Sequence, residues 1–280
     1  MLFAVAVVSP PGYLYSEAFR DVAEALHCAL LALGHDSLMT DRLDYADRHT
    51  IVLGSNLLAH YGLEPPPNAI LYNFEQVYEN SPWMTPALLA LFRRYAVWDY
   101  SQANIDRLAA WQVPRLTHVP VGYVPELTRI AAVPEDIDVL FYGSNSLRRR
   151  AVLDALRARG FSVEWLFGVY GAERDAVIAR SKIVINMHLY EAEVFEIVRV
   201  SYLLANRRAV VSEHAANPAE VGDLESGIAF AAYDELVDRC AELLSDHRAR
   251  RELGERGYQL FSARSQVAIL GEVLSGGLDR

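Results

Sequence analysis

Short apolar runs alternate with segments of helical periodicity along most of the chain. Leu2–Val8 is the first apolar run, and it ends in the turn sequence Ser-Pro-Pro-Gly-Tyr. From Phe19 to Leu33 apolar residues recur at helical spacing, and Gly34 is placed to end the helix. This order of strand, loop and helix predicts one repeating unit of a parallel α/β sheet.

The same unit recurs through the first half of the chain. Four more apolar runs are each followed by polar or turn residues, which predicts strands that end in loops. These runs are Thr50–Ser55, Asn68–Glu75, Arg93–Ser101 and Leu116–Tyr123. We therefore predict a Rossmann-like domain over residues 1–125.

A second series of runs follows a segment without clear periodicity. Residues 126–136 contain charges and a proline, which predicts a linker. Strand-length runs resume at Asp138–Ser144 and continue as SVEWLFG, KIVINMH, RAVVSE and GIAFAAY, whereas the last forty or so residues show only helical periodicity. We predict a second Rossmann-like domain over residues 137–265 and a tail over residues 266–280. The fold class is thus α/β, with two Rossmann-like domains, an interdomain cleft and a helical C-terminal tail.

Composition narrows the possible partners. The formal net charge of −10 makes nucleic acid unlikely as a bulk partner, because such binding depends on Lys and Arg displacing counterions from phosphates. The apolar N-terminal run is too short for a membrane span or a signal sequence. Cys28 and Cys240 both lie in helical patterns, so we expect two buried thiols in a reducing compartment and a cytoplasmic protein.

The sequence FYGSNSLRRR, residues 141–150, places Gly143, Ser144 and Asn145 between a strand and a helix start. Free backbone N–H groups and the helix dipole at such a turn suit a phosphate. Three arginines in the first helical turn oppose the dipole, and a diphosphate bound by one of them, preferably Arg149, would explain their presence. In the simpler interpretation the glycine only makes the turn and the arginines are solvated. Neither a G-x-G-x-x-G nor a P-loop sequence occurs, which disfavours a dinucleotide cofactor.

A second polar cluster follows the strand that ends at Asn186. An acidic first helical turn is common, because helix N-termini favour negative charge. Here, however, several carboxylates occur together with His188 and Arg199, which is more than capping requires. Carboxylates accept hydrogen bonds from sugar hydroxyls, and an arginine can bind an anion. The cluster consists of Asn186, His188, Glu193, Phe195, Glu196, Arg199 and Glu213.

Three segments resemble, in order, the nucleotide-binding domain of GT-B glycosyltransferases of the bacterial group-one and family-four-like type. FYGSNSLRRR matches a strand ending in Gly-Ser, EVFEIVRV an E-x-F-G type loop, and RRAVVSE a "PVV" strand. AILYNFEQ and AVWDYSQANIDRL also resemble acceptor-domain segments, so the resemblance covers nearly the whole chain. Of the family's two glutamates separated by seven residues, Glu193 fits the first, but Ser201 or Tyr202 occupies the second. Asn206 stands where the family usually has a glycine.

The resemblance implies a hexosyl- or pentosyltransferase that moves a sugar from a nucleotide-sugar donor to an acceptor in the interdomain cleft, without metal or other cofactor. An Asp-x-Asp at residues 136–138 precedes a strand and is interpreted as linker, not as a metal site. His188 is a candidate catalytic residue near the sugar. The donor-binding candidates are Gly143, Ser144, Asn145, Arg149, Asn186, Glu193, Phe195, Glu196, Arg199 and Glu213.

The N-terminal domain would bind the acceptor, and an inverting reaction would need a general base there. Glu75 is the preferred candidate, followed by Asp99 and then His60. Each also has a structural interpretation: a helix cap, a satisfied turn and a helix-end residue, respectively. Tyr13 and Tyr15, in a proline-stiffened loop, are candidates for stacking on the acceptor.

Two alternatives remain open. One is a non-catalytic two-lobed protein that binds a nucleotide or sugar, such as a degenerate transferase. The other is a sugar-nucleotide epimerase of the related fold. The acceptor itself could be a protein, a glycan, a lipid-linked sugar, a small molecule or a modified base.

Overall fold

The computed structural model describes residues 1–189 and 194–278. The chain forms two compact units. The first comprises Met1–Glu126 and the chain from Arg264 onward, and the second comprises Leu127–Ala263. Each unit contains one parallel sheet, which confirms the predicted α/β class.

The first unit contains a six-stranded sheet in which every paired strand is parallel. Its strands are β1 (Leu2–Val7), β2 (Asp36–Thr40), β3 (His49–Leu53), β4 (Ala69–Asn73), β5 (Ala96–Asp99) and β6 (Leu116–His118). The order β2-β1-β3-β4-β5-β6 places the reversal of strand order between β1 and β3. In sheets of this type ligands bind outside the carboxyl ends of the strands at that reversal. The sequence pattern missed β2, because it is an outer strand with no fully buried residue.

Helices on both faces of this sheet connect its strands. They are α1 (Arg20–Ala32), α2 (Ser55–Tyr61), α3 (Pro86–Arg94) and α4 (Gln102–Ala110). Buried side chains such as Leu71, Phe92 and Val97 form an apolar core between the sheet and α2, α3 and α4. This burial supplies most of the favourable free energy for holding the helices on the sheet.

The second unit contains a five-stranded parallel sheet. Its strands are β7 (Ile137–Tyr142), β8 (Val163–Leu166), β9 (Ser181–Asn186), β10 (Val210–Glu213) and β11 (Ala229–Ala231). The order β11-β10-β9-β7-β8 places the reversal between β7 and β9. The loops after β7 and β9, which carry most of the candidate donor residues, therefore lie where this topology favours a ligand.

The helices of the second unit are α5 (Leu147–Ala158), α6 (Gly171–Arg180), α7 (Ile197–Ala205), α8 (Leu236–Ser245) and α9 (His247–Ser262). Of these, α5, α8 and α9 pack around a core that includes Phe141, Ile185 and Val211. In α9, Gly254 packs so closely that a methyl group there would collide with the carbonyl oxygen of Arg207. Glycine at this position therefore sets how near α9 approaches the end of α7.

The final helix, α10 (Gln266–Ser275), belongs to the first unit, where it packs on α1. The N–H of Tyr123 donates to the carbonyl of Arg264 at 2.7 Å, and the N–H of Gln266 donates back to Tyr123 at 3.0 Å. A Cβ atom on Gly122 would lie 2.8 Å from the Arg264 carbonyl oxygen. The helical C-terminal segment is therefore attached to the N-terminal sheet. None of the helices in residues 1–189 and 194–278 combines the length and apolarity needed to cross a bilayer.

Candidate functional site

Polar side chains gather at the carboxyl edge of each sheet. We call edge 1 the loops that follow β1, β3, β4, β5 and β6, namely residues 8–15, 54–56, 74–78, 100–101 and 119–121. We call edge 2 the loops that follow β7, β9 and β10, together with the start of α7, namely residues 143–146, 187–189, 214 and 194–199.

Asn186, at the end of β9, is the centre of the network at edge 2. Its amide Nδ2 donates to Glu196 Oε2 and to Ser212 Oγ, each at 3.0 Å. Its Oδ1 accepts a hydrogen bond from Arg199 Nη1 at 2.7 Å. One buried amide thereby fixes a carboxylate and a guanidinium from α7 beside the end of the strand.

His188 braces this network from inside. Its Nδ1 lies 3.0 Å from Glu196 Oε2, and its Nε2 lies 2.9 Å from the carbonyl oxygen of His214. Because both ring nitrogens face acceptors, the protonated imidazolium fits this site best. Burial lowers the pKa of His188, but the hydrogen bond and charge of Glu196 outweigh burial, so the pKa lies above its ordinary value. His188 has 1% of its surface exposed and positions Glu196, and its catalytic role stays a prediction.

Glu196 remains charged in this setting. Burial raises the pKa of its carboxyl, but His188, Arg199 and Asn186 together lower the pKa below its ordinary value. Its side chain retains 17% exposure. Glu196 can therefore offer a fixed carboxylate to a ligand hydroxyl.

Glu213, at the end of β10, is held in an ion pair. Arg148 Nη1 and Nη2 donate to its two carboxylate oxygens at 2.7 and 2.5 Å, and the N–H of His188 donates at 3.1 Å. The Arg148 guanidinium also lies over the Tyr233 ring, 4.1 Å from its centroid. Burial raises the pKa of Glu213, but Arg148 and the His188 N–H lower it below its ordinary value. Through this pairing the Glu213 carboxylate anchors α5 to the sheet, and its contact with a donor stays a prediction.

Arg149 also has a structural position. Its Nε and Nη2 donate to the carbonyl of Met187 at 3.1 and 2.5 Å, and its Nη1 donates to the carbonyl of Ser144 at 2.9 Å. Only 2% of its surface is exposed. Arg149 therefore holds the turn after β7 in place, and its contact with a diphosphate stays a prediction.

Arg199 lies against the same turn. Gly143 has φ of 146°, and a Cβ atom there would lie 2.8 Å from Arg199 Nη2. The missing side chain of Gly143 thus makes room for the guanidinium beside Ser144 and Asn145, both of which are exposed. Ser146 caps α5 by accepting a hydrogen bond from the N–H of Arg149 at 3.3 Å. Edge 2 therefore combines a helix N-terminus with an arginine, two features that attract an anion.

Phe195 of the predicted cluster packs beside the network. It is buried, with its ring 6.0 Å from that of Phe230, and its contact with a donor stays a prediction. Glu193 lies outside the described residues. At the position of the family's second glutamate, Ser201 and Tyr202 both turn inward, and the Tyr202 hydroxyl donates to Asp175 Oδ2 at 2.7 Å.

Asn206, which replaces the family's glycine, has a structural reason. Its Nδ2 donates to the carbonyls of Leu127 and Tyr202 at 2.9 and 2.8 Å. Its Oδ1 accepts from the N–H groups of Arg129 and Ile130, each at 2.9 Å. The side chain therefore ties residues 127–130 to the end of α7.

The Asp-x-Asp sequence is occupied by ion pairs. Asp136 receives hydrogen bonds from Arg180 at 2.8 and 2.6 Å, and Asp138 pairs with Lys182 at 2.7 Å. Across residues 1–189 and 194–278, His, Cys, Asp and Glu side chains form no group of three placed to hold a metal ion.

At edge 1, Asp99 is wholly buried at the end of β5. It accepts hydrogen bonds from Asn73 Nδ2 at 2.6 Å, Asn104 Nδ2 at 3.1 Å and the N–H of Ser101 at 2.9 Å. These hydrogen bonds let Asp99 support the loop after β4, and its role as a base stays a prediction.

Glu75 lies in the loop after β4 that Asp99 supports. Its N–H donates to Asn73 Oδ1 at 3.1 Å, and its carboxylate Oε1 accepts from Asn56 Nδ2 at 2.9 Å. Burial raises the pKa of the half-buried Glu75 carboxyl to about 7. A carboxyl with this pKa is suited to exchange protons near neutral pH. Glu75 caps no helix, since Thr85 caps α3.

Asn56, the partner of Glu75, was missed at the sequence level. It follows β3 in the sequence Gly-Ser-Asn, and a polar residue just after a buried strand is a signal that could have found it.

Aromatic residues form a row in the first unit. The rings of Tyr13 and Tyr15 meet edge to face at 5.2 Å, and Tyr61 lies 6.3 Å from Tyr13. His60 is exposed near the end of α2, 4.9 Å from the Tyr61 ring. Its position fits the helix-end interpretation better than that of a base.

Comparisons with known proteins find relatives and structural neighbours, but no family model matches the chain. "Uncharacterized protein L140" of Acanthamoeba polyphaga mimivirus is 29% identical over 256 residues, covering 85% of this chain and 82% of that protein. "Uncharacterized protein L137" of the same virus is 29% identical over 162 residues, and the match spans only 22% of its length.

Solved glycosyltransferase structures share the architecture over the whole chain. AviGT4, a glycosyltransferase involved in avilamycin A biosynthesis, is 16% identical with a TM-score of 0.58, covering 98% of this chain and 96% of its own. Anabaena HepE in complex with UDP is 11% identical with a TM-score of 0.61, covering 98% and 99%. T4 phage BGT in complex with its UDP-glucose substrate is 14% identical with a TM-score of 0.59, covering both chains completely.

Proposed function

Because the chain has the GT-B fold of these solved glycosyltransferases, we propose that it transfers a sugar from a nucleotide-sugar donor to an acceptor hydroxyl. The observation that carries the proposal is the network at edge 2. There Asn186 holds Glu196 and Arg199 beside the turn at Gly143, at the reversal of strand order.

The donor's diphosphate would bind at residues 143–145. Backbone N–H groups at the start of α5 and the Arg199 guanidinium provide positive charge for it. The exposed part of the Glu196 carboxylate would accept hydrogen bonds from a sugar or ribose hydroxyl. Anabaena HepE in complex with UDP and T4 phage BGT in complex with UDP-glucose support this class of donor.

We propose an inverting transfer that needs no metal. The acceptor oxygen forms a bond to the anomeric carbon while the bond from that carbon to the diphosphate breaks, and the electron pair leaves on the diphosphate oxygen. Arg199 and the α5 N-terminus would stabilise the negative charge on this leaving group. Glu75, with a pKa of about 7, would take the proton of the acceptor hydroxyl.

A thermal-shift panel tests donor binding. Nucleoside diphosphates with different bases, and their sugar conjugates, are added to the purified protein with and without EDTA. A ligand that binds only the native state adds about 2.7 kcal/mol to its stability when present at 100 times its Kd. We expect one base to stabilise the wild type, and EDTA to leave the shift unchanged.

The matched variants locate the bound donor. Arg199→Gln should reduce the shift, whereas Arg157→Gln, an exposed arginine late in α5, should keep it. Absence of a shift with every nucleotide would contradict the proposal.

A non-catalytic binding protein is the second candidate. The positions of Ser201 and Tyr202 favour it, because neither offers the carboxylate that the family carries there. A transferase should slowly hydrolyse the stabilising nucleotide-sugar, which is measured as release of the free sugar. A non-catalytic binding protein should not. Interconversion of the sugar without an acceptor would instead identify an epimerase.

A further inference from the structure

Edge 1 differs from edge 2 in its content of charge. Its loops contain five aromatic residues and one carboxylate, Glu75, but neither Lys nor Arg. A guanidinium approaches edge 1 from α4: Arg107 Nη1 donates to the carbonyl of Val77 at 2.7 Å. The loop after the outer strand β2 carries Arg42, which is paired with Asp44 at 3.0 Å. The loops of edge 1 themselves therefore contribute no cationic side chain.

This charge content argues against an anionic acceptor. Nucleic acids bind through Lys and Arg contacts to their phosphates. Phosphorylated carriers likewise need charge-assisted hydrogen bonds from cationic side chains. A phosphate near Glu75 would also meet a carboxylate of the same sign.

The aromatic residues indicate what edge 1 can bind. Phe74 and Tyr100 stack with centroids 5.7 Å apart and an interplanar angle of 9°, and Phe19 lies 5.7 Å from Phe74. In the loop after β1, Tyr15 is 42% exposed beside Tyr13. Aromatic rings with polar tips suit ligands that are apolar on one face and polar at the rim.

Glu75 and Asn56 at edge 1 can bind the polar groups at the rim of such a ligand. Glu75 and Asn56 are joined by a hydrogen bond of 2.9 Å, so a carboxylate and an amide lie side by side. A carboxylate accepts hydrogen bonds, and an amide both donates and accepts them. Two adjacent hydroxyls on a sugar ring can therefore be bound together, one of them at the carboxylate.

We propose that edge 1 binds an uncharged saccharide as the acceptor, with Tyr13 and Tyr15 against its ring and the Glu75–Asn56 pair on neighbouring hydroxyls. This inference rests on the proposed transferase function and specifies the class of its acceptor. The tyrosines determine specificity, and Glu75 touches the reacting hydroxyl.

Saturation-transfer NMR on the full chain tests the inference. The neutral probes are oligosaccharides of glucose, galactose, mannose and N-acetylglucosamine, and the anionic probes are a short heparin fragment and a short DNA duplex. With edge 2 occupied by a saturating nucleoside diphosphate, we expect at least one neutral oligosaccharide to receive saturation and both anions to receive none. Binding of the anions alone, or of no neutral probe, would overturn the inference.

Matched variants locate the binding. Tyr15→Ala should weaken the affinity for the neutral probe roughly two- to tenfold, whereas Tyr15→Phe, which keeps the ring, should bind like the wild type. Leu31→Ala is the control, because Leu31 is 48% exposed on α1, away from the loops of edge 1. Equal affinity of Tyr15→Ala and wild type, or equal losses in Tyr15→Ala and Leu31→Ala, would contradict the assignment. Thermal unfolding of each variant verifies that it is folded.

A thermal shift with the full panel of nucleoside diphosphates and nucleotide-sugars on the same samples separates this inference from the proposed function. Stabilisation by a nucleotide-sugar without saccharide binding would leave the transferase proposal standing and overturn the acceptor class. Saccharide binding without any nucleotide effect would overturn the transferase proposal while supporting a saccharide site at edge 1.

Discussion

Amides hold Glu75 at edge 1 and Asp99 at the end of the adjoining strand β5, whereas arginines and a histidine join an amide in holding the carboxylates at edge 2. Asn73 and Asn104 surround Asp99, and Asn56 contacts Glu75. At edge 2, by contrast, Arg148 pairs with Glu213 and His188 with Glu196. Both edges terminate parallel sheets whose strand order reverses in the same way.

Because their partners differ, the carboxyl groups at the two edges have pKa values shifted in opposite directions. Burial without a cationic partner raises the pKa of Glu75 to about 7. Cationic partners hold the pKa of Glu196 and of Glu213 below the ordinary value, although both are also partly buried. One edge therefore has a group that can exchange a proton near neutral pH, and the other has fixed charges.

The largest expected effect is on the reaction at edge 1. Glu75→Gln should lower the rate of transfer by about 10²–10⁴, because a general base contributes about that factor. The wild-type rate should rise with pH through about 7, as the Glu75 carboxyl loses its proton. Rate measurements across pH check both, with Glu79→Gln, an exposed glutamate on the same loop, as the control. Wild-type turnover in Glu75→Gln would show that Glu75 is not the general base.

The next effect concerns donor affinity at edge 2. Arg199→Gln should weaken donor binding by about 1.5–3 kcal/mol, roughly ten- to a hundredfold, because a charged hydrogen bond is lost. Gly143→Ala should act in the same direction with less effect, since its methyl group would displace the Arg199 guanidinium. Calorimetric titration with the stabilising nucleotide measures both variants. Unchanged affinity in both would place the donor elsewhere.

The units also differ in the packing of their C-terminal helices. Gly254→Ala in α9 should destabilise the protein by about 1–3 kcal/mol, because the methyl group meets the backbone of Arg207. Gly271→Ala in α10 should be neutral or stabilising by up to about 1 kcal/mol, since its methyl group would meet only a Leu33 side chain at 3.5 Å. Urea unfolding compares them. Equal stabilities would contradict the close approach of α9.

The smallest effect is the pH dependence of stability from the His188–Glu196 pair. The raised pKa of His188 contributes stability that is complete below about pH 6.5 and is lost as pH rises through its folded value. The lowered pKa of Glu196 contributes stability that is lost as pH falls through its folded value. In His188→Gln the free energy of unfolding should decrease less steeply as the pH rises above about 6.5. Glu75→Gln is the companion variant, because the raised pKa of Glu75 also contributes stability that is lost as the pH rises towards about 7. An unaltered pH profile in His188→Gln would mean that His188 is not charged.

Much of the fold follows from the sequence, because buried parallel strands appear as apolar runs. The sequence pattern did not reveal strand β2, because its residues are only partly buried. The site was harder to predict. Glu75 was identifiable from its place after β4, but the burial of Asp99 and Arg149 depends on amides and carbonyls contributed by other elements. Likewise Arg148 meets Glu213 across 65 positions, a pairing that no local pattern encodes.

Hydrogen exchange measured with and without a saturating nucleoside diphosphate tests the central claim, that edge 2 binds the donor. We expect slower exchange in peptides covering residues 143–149 and 186–189, and unchanged exchange in residues 74–78. Slower exchange confined to edge 1, or a bound nucleotide that leaves residues 143–149 unprotected, would contradict it.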